Sequence, residues 1–350
     1  MESAQPTTII TFTPLPTTLP LLAAFKASPL SRKSSYAIHE LDSDHKTLEL
    51  ALQSDGIVIT AGSLASLAHL LAPRQRAFFN ATEDSNLFRT LIHPHFPDYF
   101  FKMTTTPWVT PLDFTTKKYV VKPNIGYSSV DTFVLDSITD QQTLLSQIQH
   151  PDQQFIIEEY IRGVFLCSDI VVENGDIIVT SIYQRYDAGI KETAQYHASA
   201  LYHQYYDKFL TLAKSVIVQS LPIPHVRTLF NVEAKLGDDG ILRIIEINPF
   251  RACGVAPLAT SLVFGRNVFE LAFAEKLSDV EEPEGEKEIV ICLARKLGES
   301  ANDVMEGVLG ELEGKDGEKR RAVELERILE EKDKEVFEIH DGRIFELIKE

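Results

Sequence analysis

The sequence predicts a mixed α/β and α+β architecture, in which a small parallel α/β unit is followed by two strand-rich lobes. Strand and helix patterns alternate through residues 7–71, as they do where crossover helices join parallel strands. From Lys117 onward strands dominate, and the turns Asn174-Gly175 and Gly237-Asp238-Asp239-Gly240 separate consecutive ones. A charged stretch at residues 281–288, EEPEGEKE, sets off the last part of the chain.

Taken in order, TTIITF at residues 7–12 is an apolar, β-branched run that suits a buried strand. Residues 19–27 read as a helix, 36–40 and 56–60 as strands, and 64–71 as a further helix. Residues 72–111 hold Pro73, Pro94, Pro97 and Pro107 and read as a connector built on one helix, residues 83–92. Strands are expected at 118–122, 155–160, 168–172 and 177–183, with a helix at 141–148. Phe209, Leu210, Leu212, Ala213 and Val216 fall at helical spacing within residues 204–219. Strands 229–235 and 241–248 flank the Gly-Asp-Asp-Gly turn, and a helix at 268–277 follows. After the charged linker come strand 289–293, helices near 302–312 and 320–331, and a hairpin turning at Asp341-Gly342.

With 350 residues, 44% hydrophobic and 24% charged, the composition is that of a soluble globular protein with room for more than one core. A net charge of −17 argues against partners such as nucleic acid or an anionic membrane. Much of that acidity lies after Asp279. The three cysteines, Cys167, Cys253 and Cys292, are far apart, which suggests neither a disulfide framework nor a thiolate zinc site. A reducing, cytoplasmic location is the simplest expectation. The apolar stretch at residues 19–25 makes a poor signal peptide and is too short to span a bilayer.

The chemistry concentrates in FNVEAKLGDDGILRIIEINP, residues 230–249. Side chains alternate along a strand, so Asn231 and Glu233 share a face, as do Glu246 and Asn248. If Asp238 and Asp239 form a two-residue turn, Asn231 lies opposite Glu246, and Glu233 opposite Ile244. Glu233, Glu246 and Asn248 then project from one side. Two carboxylates and an amide oxygen are the hard ligands Mg²⁺ prefers, with Mn²⁺ as the alternative ion. The competing reading is a set of solvated positions on a half-exposed hairpin. Polar residues at alternate places inside the apolar run RIIEINP favour the metal.

Two further segments matter in combination. In YVVKPNIGYSS, residues 119–129, a strand delivers Lys122 to a loop holding Gly126, Ser128 and Ser129, which suits phosphate. Alone, a Lys-Pro before a Gly/Ser turn is common in ordinary loops. In IIEEYIRG, residues 156–163, an apolar strand ends in Glu158 and Glu159 before Gly163. Alone this is only a strand leaving a sheet.

In this order and spacing the segments resemble the ATP-grasp superfamily, in pattern nearest the D-alanine–D-alanine ligases, amino-acid ligases and carbamoyl-phosphate synthetase large subunit. The resemblance implies an ATP-grasp fold with an N-terminal α/β pre-grasp domain at residues 1–82. Two α+β lobes clamping ATP would follow at 83–165 and 166–280, with a charged extension at 281–350. It implies that Lys122 contacts the α- and β-phosphates and that Gly126, Ser128 and Ser129 belong to a phosphate lid. It makes Glu158, Glu159, Tyr160 and Ile161 the hinge that holds adenine, and Glu233, Glu246 and Asn248 the magnesium ligands. Arg251 would stabilise the transferring phosphoryl group. The implied activity is an ATP-dependent ligase joining a small carboxylic or amino acid, activated as an acyl phosphate, to an amine. A homodimer fits this pattern. Alternatives are an ATP-grasp kinase acting on a hydroxyl and a non-catalytic nucleotide-binding scaffold.

The chain departs from the pattern at three places. Phe165 stands where a ribose-binding glutamate is usual, with Asp169 the next carboxylate. EDSNLFRTLI offers Arg89 as the nearest cation to the usual first lysine, and Phe250 separates EINP from Arg251. Tyr183, Arg185, Tyr186, Lys191 and Tyr196 fall where such enzymes line the acceptor pocket, the alternative being a surface aromatic cluster. His93, His95, His197 and His203 lack zinc-like spacing and read as polar loop residues. No GxxxxGK[ST] or GxGxxG is present.

Overall fold

The structure, a computed structural model, describes residues 7–11, 36–40, 65–104, 112–126, 131–147, 154–188, 191–251, 260, 263, 288–292 and 322–323. At its start, β1 (Thr7–Thr11) and β2 (Tyr36–Glu40) pair in parallel, as the N-terminal alternation predicts. The helices expected at 19–27, 268–277 and 302–312, the strand at 56–60 and the hairpin at Asp341-Gly342 lie outside the described residues.

The proline-bearing connector holds more structure than the sequence suggests. A 3-10 turn at Ala65–Leu70 leads into helices α1 (Pro73–Glu83) and α2 (Ser85–Ile92). Pro73 sits in the first turn of α1, where a missing N–H breaks no helical bond, so it starts a helix instead of preventing one. Asp84 separates the two helices and caps the second, its Oδ1 accepting from Leu87 N at 2.8 Å. Asn124 fastens the same helix end to the loop after Lys122, its side-chain oxygen taking Asn86 N at 2.8 Å.

The smaller sheet is antiparallel and contains β3 (Phe101–Thr104), β4 (Tyr119–Pro123), β5 (Phe133–Leu135) and β6 (Phe155–Glu159), in the order β3-β6-β4-β5. Tyr119, Val121, Leu135, Phe155 and Ile157 pack with Leu144 of helix α3 (Ile138–Gln147) on one face. Alternation sends Val120, Lys122, Ile156 and Glu158 to the opposite face, where Val120 pairs with Glu158 and Lys122 with Ile156.

The larger sheet has seven strands, ordered β11-β10-β7-β8-β9-β12-β13. These are β7 (Gly163–Glu173), β8 (Asp176–Ala188), β9 (Lys191–Ala198), β10 (Thr228–Gly237), β11 (Leu242–Pro249), β12 (Glu288–Cys292) and β13 (Ala322–Val323). β7 and β8 run well past the expected limits, and β9 was not expected. β13 falls where a helix was expected from residue 320; its two residues instead pair in parallel with Val290 and Ile291 on the open edge of β12.

Helix α4 (Ser199–Leu212) begins before residue 204 and continues through a π-helical turn at Ala213–Ile217. Its Phe209, Leu212 and Val216, with Phe78, Phe79 and Phe88, cover Leu166, Ile170, Phe230, Val232, Ala234 and Ile247 of the sheet. The opposite face of the sheet is therefore the one left for chemistry. The chain enters the larger sheet at Gly163, the first residue of β7, whose φ is +138° and whose added Cβ would lie 2.0 Å from Leu236 O, so no larger residue fits there. No helix among the described residues is long and apolar enough to cross a membrane.

Candidate active site

A cleft open to solvent lies between the two sheets and the helices α1 and α2. Lys122, Gly126, Glu158, Glu159, Tyr160, Ile161, Glu233 and Glu246 all line it, together with Phe165 and Arg185. Ser128 and Ser129 lie outside the described residues.

The expected hairpin register needs correction. Glu233 pairs directly with Glu246, and Asn231 with Asn248, whereas Ala234 pairs with Ile244. Ile245 is an extra residue, a β-bulge, and β10 and β11 are joined by a loop longer than a two-residue turn. The bulge has a structural purpose. It lets Leu242 and Ile244 join the core on one side while turning Glu246 into the cleft on the other, with Asn248 buried next to it on the same face. The proposed ligand set thus shares one face, but through cross-strand pairing instead of the diagonal contact expected.

On the cleft face of the large sheet, residues line up in rungs across the strands. Nearest the hinge, Arg185, Phe165 and Lys235 lie side by side on β8, β7 and β10. The next rung is Tyr183, Cys167, Glu233 and Glu246, and the third is Ser181, Asp169, Asn231 and Asn248. Glu246 reaches solvent within the cleft, yet the protein around it, and then the Glu233 charge opposite, push its carboxyl up to about 7. Two facing carboxylates, one of them raised, form a donor set that a divalent cation would relieve, so these residues fit Mg²⁺ chemically. Among the described residues no cluster of three or more His, Cys, Asp or Glu forms a metal cage, so phosphate oxygens and water would complete the shell.

Asn248 is held in one orientation. Its Nδ2 donates to Asn231 Oδ1 at 3.5 Å and Glu233 Oε1 at 3.4 Å, and its Oδ1 accepts from the Arg251 guanidinium. The intervening Phe250 explains how Arg251 gets there. Phe250 adopts φ 60°, which turns its ring into the core against Phe78 and lets Arg251 fold back towards Asn248. Arg251 Nε is buried with no hydrogen-bond partner among the described residues. Its charge also faces Glu83, whose carboxyl is raised by burial and drawn down in part by Arg251.

Across the cleft, Glu158 is buried and bonded on both oxygens, to Arg89 Nε at 2.6 Å and to Lys122 Nζ at 2.6 Å. Burial pushes its carboxyl up, but Arg89 and Lys122 outweigh burial and hold it at about 2. The Glu158 carboxylate is thus bonded to two cations at the cleft wall. Lys122 therefore cannot be removed without loss of stability. Lys122→Ala is expected to destabilise the protein by about 1–3 kcal/mol in urea denaturation, besides weakening nucleotide binding.

Asp169, the next carboxylate after Phe165, does not line the cleft. It is buried in the third rung, where Oδ1 accepts from Asn231 Nδ2 at 2.8 Å and Oδ2 from Ser181 Oγ at 3.2 Å. Burial raises its carboxyl from 3.8 to about 6 against these two bonds. A raised folded value gives stability that is full below the unfolded value and is lost as pH rises through about 6. Asp169→Asn removes this titration. Its stability relative to the parent should therefore improve by about 2 kcal/mol between pH 4 and pH 7.5. A difference that does not change with pH would contradict the assignment.

The aromatic cluster is neither a surface patch nor wholly a pocket lining. Tyr183, Tyr186 and Tyr196 are buried, and only Arg185 of the described side chains in that group lines the cleft. His197 is not a loop residue either; it lies buried on β9, stacked on Tyr183 at 4.5 Å, with burial holding it neutral at a value of about 3.

Residues 115–258 match the ATP-grasp domain family. Among solved structures, an L-amino acid ligase from Bacillus licheniformis is 14% identical with a TM-score of 0.58, over 80% of this chain and 78% of that one. An N5-carboxyaminoimidazole synthetase from Staphylococcus aureus is 14% identical with a TM-score of 0.52, over 71% of each chain. The ADP complex of an N5-carboxyaminoimidazole ribonucleotide synthetase is 14% identical with a TM-score of 0.54, over 83% of this chain and 82% of that one. No curated protein sequence matches the chain.

Proposed function

Because the chain has the ATP-grasp fold, with an ATP-grasp domain at residues 115–258, we propose that it is an ATP-dependent carboxylate–amine ligase. The observation that carries this reading is one cleft in which Lys122 faces the paired carboxylates Glu233 and Glu246, with Asn248 beside them. Support comes from the three structural neighbours, which are named as a ligase and as synthetases, one of them solved with ADP.

In this reading the hinge segment Glu159, Tyr160 and Ile161 holds the base, while Lys122 and Gly126, with Ser128 and Ser129 beyond, hold the phosphates. Glu233, Glu246 and Asn248 hold Mg²⁺, or Mn²⁺, which when bound neutralises and orients the phosphates. A carboxylate oxygen of the acid attacks the γ-phosphorus and ADP leaves, giving an acyl phosphate. The amine then attacks the acyl carbon, and phosphate leaves with one of the original carboxylate oxygens. Arg251, steered towards Asn248 by the turn at Phe250, places a positive charge where the transferring group gains negative charge. Closure of the small sheet over the cleft keeps water from the acyl phosphate.

The test is ADP release against a panel of carboxylic and amino acids with hydroxylamine as the amine. The ligase reading expects hydroxamate and ADP in equal amounts with at least one acid. ADP accompanied by a stable phosphoester and no hydroxamate would assign the site to hydroxyl phosphorylation instead.

The nucleoside end carries its own expectation. Phe165 lies between Arg185, 4.5 Å from its ring centroid, and Lys235, 5.5 Å away, so this rung offers a ring and two cations in place of a carboxylate. Discrimination between ATP and 2′-deoxy-ATP should be weak, since no buried acceptor is left unpaired by the missing hydroxyl. Competition binding of the two nucleotides measures it, and strong rejection of the deoxy form would contradict the reading.

A further inference from the structure

Arg185 lies inside the cleft in a setting that its expected place in an acceptor pocket does not explain. Its Nε donates to Asp187 Oδ1 at 2.6 Å, and its NH1 donates to Glu233 Oε2 at 2.8 Å. The guanidinium also stacks 4.5 Å from the centroid of the Phe165 ring. Three contacts therefore fix a cation directly on one of the two carboxylates that face each other across β10 and β11. A cation here relieves the repulsion between Glu233 and Glu246, which is the task the proposed function gives to a metal ion.

Resting on the reading of Glu233 as a metal ligand, we propose that Arg185 exchanges partners when nucleotide binds. In the nucleotide-free protein it neutralises Glu233. When Mg–ATP enters, the same N–H passes to a phosphate oxygen carried by the ion, while Asp187 and the Phe165 ring hold the guanidinium in place. Distance makes the exchange short. Neighbouring oxygens around one Mg²⁺ lie about 3 Å apart, given ligand distances of about 2.1 Å in an octahedral shell. A phosphate oxygen on an ion bound by Glu233 would thus lie within a small swing of a donor already 2.8 Å from the Glu233 carboxylate. One N–H, on NH1, serves Glu233 while Nε stays on Asp187, so the guanidinium can pass that single N–H from a carboxylate oxygen to a phosphate oxygen, both of which take charge-assisted hydrogen bonds. Arg185 is then a substrate-contacting residue, and Asp187 and Phe165 are positioning residues that act through it.

A cation that merely braces the sheet makes a different prediction from one that exchanges partners. Arg185→Met keeps much of the bulk on Phe165 and removes the charge. With no nucleotide present, Mn²⁺ has no rival for Glu233 in this variant, so its affinity should rise by about tenfold, read from the electron paramagnetic resonance of free Mn²⁺. Mg–ATP affinity, read by calorimetry, should fall by about tenfold because a phosphate contact is gone. Arg185→Lys keeps the charge without the fork and should bind Mn²⁺ like the parent while binding Mg–ATP less tightly; it serves the same test if the methionine variant does not fold. Affinities that both fall, or Mg–ATP affinity that does not change, overturn the exchange and leave Arg185 a brace. A parent protein that binds neither Mn²⁺ nor Mg–ATP overturns the reading of the cleft, and the exchange with it.

Discussion

Replacing Arg89 by methionine is expected to destabilise the protein by about 3–5 kcal/mol, the largest stability effect of any single substitution at the cleft. The guanidinium is buried and joins three elements. From α2 it donates to Glu158 on β6 at 2.6 Å, to Ile244 O at 2.6 Å and to Ile245 O at 2.8 Å on β11. The last two carbonyls flank the bulge, where the ladder with β10 is interrupted. Removing Arg89 leaves Glu158 buried with Lys122 as its remaining ionic partner and deprives both bulge carbonyls of a donor. Urea denaturation of the single variant and of Arg89→Met combined with Glu158→Met separates these losses. The double variant should recover part of the stability, because the cost of an unpaired buried carboxylate disappears with it. A single variant within about 1 kcal/mol of the parent would contradict the account.

The second large effect is on catalysis. Glu246→Gln keeps shape and removes one charge from the facing pair, so turnover should fall on the order of 10²-fold or more. Stability should move the other way. The surrounding protein, and then Glu233, make the ionised Glu246 carboxylate costly in the nucleotide-free protein, so the glutamine variant should melt at the same temperature or higher. Loss of turnover with retained stability separates a functional carboxylate from a structural one. Near-normal turnover at saturating Mg²⁺ would remove Glu246 from the metal set.

How much of this was legible in the sequence depends on whether the signal was local. Strand alternation placed Glu233, Glu246 and Asn248 on one face because that rule needs only neighbouring residues. The register failed because the bulge at Ile245 carries no glycine or other local mark; it follows from packing Ile244 and from the carbonyl contacts of Arg89, a residue distant in sequence. Glu158 lines the cleft, but its ion pairs with Arg89 and Lys122 bring together three separate segments, which no local pattern shows. Pro73 was weighed as a breaker when its position at a helix start makes it an initiator. The burial of Asp169 and His197 is not legible because nothing in a sequence says which face of a strand will be covered. Phe250 is the clearest case of a local oddity with a local answer: one left-handed residue absorbs the insertion and returns Arg251 to Asn248.

The central claim is that the cleft moves a phosphoryl group from ATP onto a carboxylate, which an amine then displaces. Oxygen transfer tests it most directly. An acid that supports ADP release is labelled with ¹⁸O in its carboxylate and incubated with the protein, Mg–ATP and the amine, and the inorganic phosphate is analysed by mass spectrometry. The account predicts one ¹⁸O in each phosphate formed, because the leaving phosphate carries an oxygen from the acid. Phosphate without label, or label retained entirely in the acid, would contradict it.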